Sequence, residues 1–205
     1  MTAGKVYIAS MNMRGEWANP IEPESIKLNV TSAQSKTSKN RRDFSPMTEI
    51  EGGYNGFWNF ESYWQSGKEF ETIPYETTRK WWLELKEAKR RYPGSKGKRV
   101  LHSKWIEHSN EPMDYVTSRK KVYVPRYYNL VSDREMTKYY RDCLTSGKNI
   151  TIYDLDGVRD EDGRPSCKEL TRELLVEKIN DTTFPFGHGY IVGALIKGIH
   201  YHEFS

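Results

Sequence analysis

Apolar residues are spaced along this chain in two ways, at helical intervals in some segments and in short β-branched or aromatic runs in others. Helical spacing predicts helices over residues 57–70, 77–91, 134–144, 168–179 and 189–199. The short runs predict strands over residues 6–11, 25–30 and 149–153. The predicted fold class is therefore α+β, a mostly helical single domain with a few short strands.

Two further segments do not follow either pattern clearly. Residues 121–128 are rich in Val and Tyr but contain Pro125, which predicts a strand or an extended segment. Residues 31–47 are dominated by Ser, Thr, Lys and Arg with almost no apolar residue, which predicts either a mobile loop or a loop that a ligand orders.

Length and composition limit the class of protein. The 205 residues suffice for one domain with a substantial core, and 13% aromatic residues exclude a disordered chain. No run approaches the roughly 18 apolar residues of a membrane span, and residues 1–10 do not look like a signal peptide. We therefore expect one domain over residues 1–205, cytoplasmic and without a membrane partner.

The cysteines and histidines are too few and too scattered to predict a metal site. Cys143 and Cys167 have no CxxC spacing, which excludes zinc ribbons and disulfide frameworks. The five histidines form no HExxH motif. We expect no metal and no other cofactor.

Charge is unevenly distributed around a small net charge of +4. Residues 79–104 contain ten basic residues against Glu84 and Glu87, whereas residues 153–181 are acidic overall. The basic stretch is either a solvated helix face or a surface for phosphate-bearing ligands or nucleic acid.

The densest cluster of candidate site residues lies between residues 57 and 68. On a helix, one stripe of this segment would carry Phe57, Glu61, Trp64, Gln65 and Lys68. Because a carboxylate among aromatic rings costs several kcal/mol unless it is paired, this stripe favours a functional role for the glutamate. The alternative is a boundary helix with a Glu61–Lys68 pair about 10 Å apart along its axis.

Two aspartates follow the predicted strand at residues 149–153. Asp154 and Asp156 are interpreted as an acid or a hydrogen-bond acceptor of an active site, or alternatively as turn-forming residues. The strand followed by DxDG also resembles the start of haloacid dehalogenase phosphatases, but only 48 residues remain after Gly157, too few for that fold.

Glycines precede the last predicted helix. Gly187, His188 and Gly189 would place backbone N–H groups at its N-terminus, where a phosphate is favoured. The alternative is that these glycines allow the helix to pack closely against a neighbour. His188 is interpreted either as a ligand contact or as a histidine satisfied within the protein.

The run Glu61-x-x-Trp64-Gln65-x-x-Lys68-x-Phe70 resembles the E-x-x-Y/W-Q-x-x-K-F helix of the NADAR family of N-glycosidases. Later features occur in a similar order over residues 55–197: Gly97-Lys98-Arg99 before Trp105, Thr145-Ser146-Gly147, the two aspartates, and a glycine-rich last helix. The chain departs from the family at Ser62, where the family has His, at Phe186-Gly187-His188-Gly189 and in an insertion at residues 113–128. We interpret it as a remote member, viral or otherwise divergent.

The resemblance implies a hydrolase that cleaves an N-glycosidic bond in a nucleotide, an ADP-ribose-type compound or a ribosylated base. Glu61 would stabilise the developing sugar cation, with Asp154 or Asp156 orienting water or ribose hydroxyls. Trp105 would stack on the base, and Lys68 and Arg14 would hold phosphate. The predicted substrate-binding set is completed by Trp64, Gln65, Gly187, His188 and Gly189.

Two other functions remain open from the sequence. One is a protein that binds DNA or RNA, or is associated with its modification, through the basic stretch and aromatic stacking. The other is a catalytically inactive NADAR-like binding protein. In every case the expected partner is a phosphate-bearing nucleotide or nucleotide sugar, or a nucleic acid.

The same spacing predicts a single core. It would contain aromatic and aliphatic residues from three predicted helical segments: Phe57, Phe60, Trp64, Trp82, Leu85, Ile191 and Leu195.

Overall fold

The computed structural model describes residues 3–12 and 24–205. Its strands are β1 (Val6–Ser10), β2 (Ile26–Asn29), β3 (Lys68–Phe70), β4 (Val100–Trp105), β5 (Ser109–Met113), β6 (Ile150–Asp154) and β7 (Cys167–Glu169). Its α-helices are α1 (Lys39–Phe44), α2 (Phe60–Ser66), α3 (Tyr75–Glu84), α4 (Tyr115–Ser118), α5 (Val124–Val131), α6 (Glu135–Thr145), α7 (Arg172–Asn180) and α8 (His188–Lys197). A π-helix at Arg119–Tyr123 precedes α5, and a 3₁₀ helix lies at Tyr201–Glu203.

Contacts within the chain cluster into two compact units. The first comprises Met1–Ser45 and Val124–Ser205, and the second is Pro46–Tyr123. The α+β class, mostly helical with a few short strands, is confirmed.

The first unit contains a four-stranded sheet in the order β2-β6-β1-β7. Strands β2, β6 and β1 are parallel, and β7 pairs antiparallel with β1. All five side chains of β1 are buried, as expected for a parallel strand covered on both faces. The register places Ser10 opposite Asp154, so these residues end neighbouring strands at the same edge of the sheet.

Helix α8 packs against this sheet. A Cβ at Gly193 would lie 2.7 Å from Leu170 Cδ2 and 3.1 Å from Ile152 Cδ1, so the missing side chain allows the close approach. The helix ends at Gly198, which adopts φ +80° and caps it in the left-handed conformation.

The second unit combines a three-stranded antiparallel sheet, in the order β3-β4-β5, with α2 and α3 packed together. Its core is aromatic. The fully buried rings include Phe57, Phe60, Tyr63, Trp82 and Trp105. Such rings bury a large apolar area each, so a unit of this size can form a core from few residues.

Most predicted strands and helices are present, but several boundaries were wrong. The helix predicted over residues 57–70 is only α2, because the chain turns at Gly67 and Lys68 begins β3. The helix predicted over 77–91 ends at Glu84, where Leu85 becomes extended. Closely spaced cations and Pro93 follow this point, and both disfavour a continued helix.

Three further segments differ from their predictions. Residues 121–128 are helical rather than extended. The π-helix runs directly into α5, and Pro125 lies in the first turn of α5. The polar segment 31–47 contains α1, anchored by fully buried Phe44. The helix predicted over 168–179 begins at Arg172, because Lys168 belongs to β7.

The predicted core residues divide between the units. Trp64 and Trp82 belong to the second unit, whereas Ile191 and Leu195 are buried in the first. Across residues 3–12 and 24–205, none of the helices combines the length and apolar character needed to cross a membrane.

Candidate functional site

Glu61 lies in the first turn of α2, in the second unit. The helix begins because the Asn59 side chain accepts a hydrogen bond from Ser62 N (2.7 Å) and its amide donates to Met47 O (3.0 Å). The Glu61 amide donates to Pro46 O (2.9 Å), and its carboxylate accepts a hydrogen bond from Gln65 Nε2 (2.7 Å). One turn of helix therefore holds the carboxylate in a defined orientation.

Lys68 supplies a cation whose charge interacts with this carboxylate. Its Nζ lies 5.7 Å from the centroid of the Trp64 ring, within the range of a cation–π interaction. Burial lowers the pKa of Lys68, the negative charge of Glu61 partly opposes this, and the positive charge of Arg91 lowers the pKa further. Glu61, Trp64, Gln65 and Lys68, all predicted from the sequence, thus form one cluster, which we call the Glu61 cluster.

Trp105 supports this cluster from within the core and is not available as a stacking platform. Its ring is fully buried, stacked on Trp64 with centroids 5.0 Å apart, and Nε1 donates to Tyr63 O (2.9 Å). A Cβ at Gly67 would lie 2.2 Å from the Trp105 ring, so glycine is needed at the turn after α2. The burial of the ring therefore argues against the prediction that Trp105 stacks on a base.

Three residues that adjoin the Glu61 cluster or act on it were not predicted to belong to it. Tyr123 packs on Trp64 with ring centroids 4.9 Å apart. The prediction of an extended segment over residues 121–128 gave no indication of this contact. Arg91 acts on Lys68, although the sequence indicated only a basic stretch. Ser62, where the NADAR family has His, is fully buried, and its hydroxyl has no hydrogen-bond partner within the described ranges.

Asp154 ends β6 in the first unit, and its side chain is only 2% exposed. Oδ2 accepts the Gly189 N–H (2.7 Å) and Oδ1 accepts the Leu155 N–H (2.7 Å). The carboxylate thus caps the N-terminal turn of α8 and orders the turn after β6. Its negative charge also adds to burial in raising the pKa of Tyr127.

The glycines before α8 make room for this aspartate. A Cβ at Gly187 would lie 2.5 Å from Asp154 Oδ2, and one at Gly189 would lie 2.8 Å from Asp154 Cβ. The donor predicted to meet a phosphate, Gly189 N–H, is bonded to the protein's own carboxylate. This geometry supports the close-packing interpretation of the glycines.

His188 is enclosed by protein acceptors. Its Nε2 lies 2.8 Å from Val30 O, and its Nδ1 lies 3.5 Å from Asp154 Oδ2. The Tyr127 ring approaches it edge-on, with centroids 5.9 Å apart. These contacts favour a histidine satisfied within the first unit over a free ligand contact.

Asp156 differs from Asp154 because it is exposed on the turn after β6. Burial raises the pKa of Tyr190, and the charges of Asp154 and Asp156 raise it further. The predicted site residues therefore fall into two groups, one in each unit, and Arg14 lies outside the described residues.

Among residues 3–12 and 24–205, no group of three or more His, Cys, Asp or Glu side chains is arranged to hold a metal ion. No protein-family model, curated protein or solved structure matches this chain.

Proposed function

We propose that this protein hydrolyses an N-glycosidic bond in a nucleotide, an ADP-ribose-type compound or a ribosylated base, with Glu61 as the catalytic carboxylate. The observation that supports this most is the Glu61 cluster, where a hydrogen-bonded carboxylate interacts electrostatically with an ammonium of lowered pKa that lies over the Trp64 ring. Titratable groups with perturbed pKa values concentrate at functional sites.

The carboxylate suits the transition state of this reaction. As the bond between C1′ and the base nitrogen breaks, its electron pair moves to the nitrogen and positive charge develops on the sugar. Glu61 stabilises that charge and accepts a proton from the water that attacks C1′. The hydrogen bond from Gln65 keeps the carboxylate oriented throughout.

Lys68 suits the departing base. An ammonium of lowered pKa is a stronger acid than an ordinary lysine, and it protonates the nitrogen as the bond breaks. The role predicted for Lys68 from the sequence was to hold phosphate. Proton donation fits its partly buried position over Trp64 at least as well.

The test begins with a substrate screen. The protein is incubated with ADP-ribose, ADP-ribosylated bases and nucleosides, and pyrimidine ribosylamines, and mass spectrometry detects the released base. Glu61→Gln keeps the shape of the side chain but removes its charge, so turnover should fall by about 100-fold or more while binding changes little.

Glu69→Gln is the matched control, because Glu69 is a nearby carboxylate that pairs with His102 (3.1 Å). It should retain turnover. If Glu61→Gln unfolds the protein while activity per folded molecule is unchanged, Glu61 is a structural carboxylate. Binding of these compounds without release of base would instead identify an inactive binding protein.

A further inference from the structure

Residues 86–99 form an irregular loop after α3, here called the cationic loop. Six of its basic side chains are exposed: Lys86, Lys89, Arg90, Arg91, Lys96 and Arg99. Lys89 pairs with Glu87 (3.2 Å), and the other five form no ion pair within the part of the chain that the structure describes. Residues 79–104 carry eight net positive charges in a chain of net charge +4, so the rest of the molecule is net negative.

The backbone of the cationic loop is held by internal contacts. Ser95 N donates to Tyr92 O (3.1 Å) and Lys98 N donates to Ser95 O (3.1 Å), which closes two successive turns. Gly94 and Gly97 occupy their third positions at φ +78° and +79°, as type II turns require. Tyr92 also packs edge-on against Trp81 with centroids 5.3 Å apart. The cations are therefore displayed from a preorganised backbone, which lowers the entropic cost of binding.

We propose that the cationic loop binds the phosphodiester backbone of a nucleic acid strand. Its partner must be strongly anionic, because the loop concentrates positive charge that the neighbouring residues do not neutralise. The loop is neither a helix nor a two-stranded ribbon, the elements that enter the major groove, so it contacts phosphates without reading sequence.

An anionic membrane is the competing partner, and the side chains of the loop argue against it. Amphipathic segments that lie in a membrane surface insert large apolar residues among their cations. Within residues 86–99, all of which are described, no large apolar side chain is exposed; the exposed Val100 and Leu101 follow the loop in β4 and are not interspersed with its cations.

The loop also lies near the Glu61 cluster. The positive charge of Arg91 acts on Lys68, which places at least one loop cation within electrostatic range of that ammonium. The binding proposal does not depend on catalysis, because it rests on the exposure and backbone of the loop.

The test measures binding rather than turnover. Fluorescence anisotropy follows a fluorescein-labelled 20-nucleotide single strand between 50 and 200 mM salt. The variant is Lys86→Gln/Lys89→Gln/Lys96→Gln, and the control is Lys36→Gln/Lys138→Gln/Lys148→Gln, three exposed lysines elsewhere that change the net charge equally.

The loop variant should bind about 10- to 100-fold more weakly at 100 mM salt and reduce the slope of log K against log salt by about 2, whereas the control should stay near wild type. Equal losses in both variants would overturn the proposal, as would absence of binding at 50 mM salt. Binding only to phosphatidylcholine–phosphatidylserine vesicles would assign the loop to membranes instead. Because Glu61 is not part of the loop, Glu61→Gln should bind the strand like wild type. Strand binding without any hydrolysis would therefore contradict the proposed hydrolysis and leave the binding proposal intact.

Discussion

Opposing electrostatic effects act on the pKa of Lys68, and their balance makes the stability of the protein depend on pH. Burial and Arg91 lower its pKa from the ordinary value of 10.5, and Glu61 acts in the opposite direction. The unfolded chain therefore binds more protons than the folded chain between the lowered pKa and 10.5. Across this window, the contribution of Lys68 to stability rises with pH.

Replacing Lys68 by Met should therefore reduce the pH dependence of stability. We expect the stability of Lys68→Met relative to wild type to be greatest at neutral pH and to decline as the pH approaches 10.5. Urea denaturation at pH 7 and pH 10 measures the difference. Parallel pH dependence of Lys68→Met and wild type would contradict the assignment.

At the scale of elements, β6 and α8 are joined through one side chain. Asp154 at the end of the strand accepts the Gly189 N–H of the helix, and the glycines at positions 187 and 189 leave space for its carboxylate. This contact sets how the helix begins over the sheet. It also means that the Gly189 N–H, considered from the sequence as a phosphate donor, is already bonded within the protein.

Two glycines of α8 provide a matched pair for testing this contact. Alanine favours a helix over glycine by about 1 kcal/mol at either position. In Gly189→Ala, the new Cβ would meet Asp154 Cβ at 2.8 Å, next to the backbone, whereas in Gly193→Ala it would meet the more mobile end of Leu170 at 2.7 Å. We expect Gly189→Ala to lower the free energy of unfolding by about 1–3 kcal/mol and Gly193→Ala to lower it less. Urea denaturation measures both losses. A larger loss of unfolding free energy in Gly193→Ala than in Gly189→Ala would exclude this role for Asp154.

At the scale of the whole molecule, buried and exposed backbone are unevenly distributed. Strands β1 and β6 are central in the four-stranded sheet, and Ile8 and Ile152 are fully buried. The cationic loop has mostly exposed residues, and the backbone hydrogen bonds that hold it close single turns at its surface and do not form a buried ladder. Local opening should therefore differ between these regions.

Hydrogen exchange followed by mass spectrometry should reveal this difference. Peptides covering β1 and β6 should be the slowest to exchange, and a peptide covering residues 86–99 should exchange early. Adding the single-stranded oligonucleotide should slow exchange in the loop peptide and leave the β1 and β6 peptides unchanged. Protection confined to peptides outside the loop would place the binding surface elsewhere.

The sequence by itself determined the fold class, the central strands and the Glu61–Gln65 pair on α2. Strands β1 and β6 were predictable because buried parallel strands are short runs of β-branched residues. Gln65 follows Glu61 by four residues, and this spacing on a helix brings the two side chains together whatever surrounds them.

Only the tertiary structure decided the contacts between residues far apart in sequence. Trp105 is 42 residues from Tyr63, and its burial against α2 turned a predicted binding ring into a support. Asp154 is 35 residues from Gly189, and their hydrogen bond occupies the helix terminus that local pattern left open. Local propensity specifies what a segment can form, whereas packing and hydrogen bonding between distant segments determine which groups remain available for a ligand.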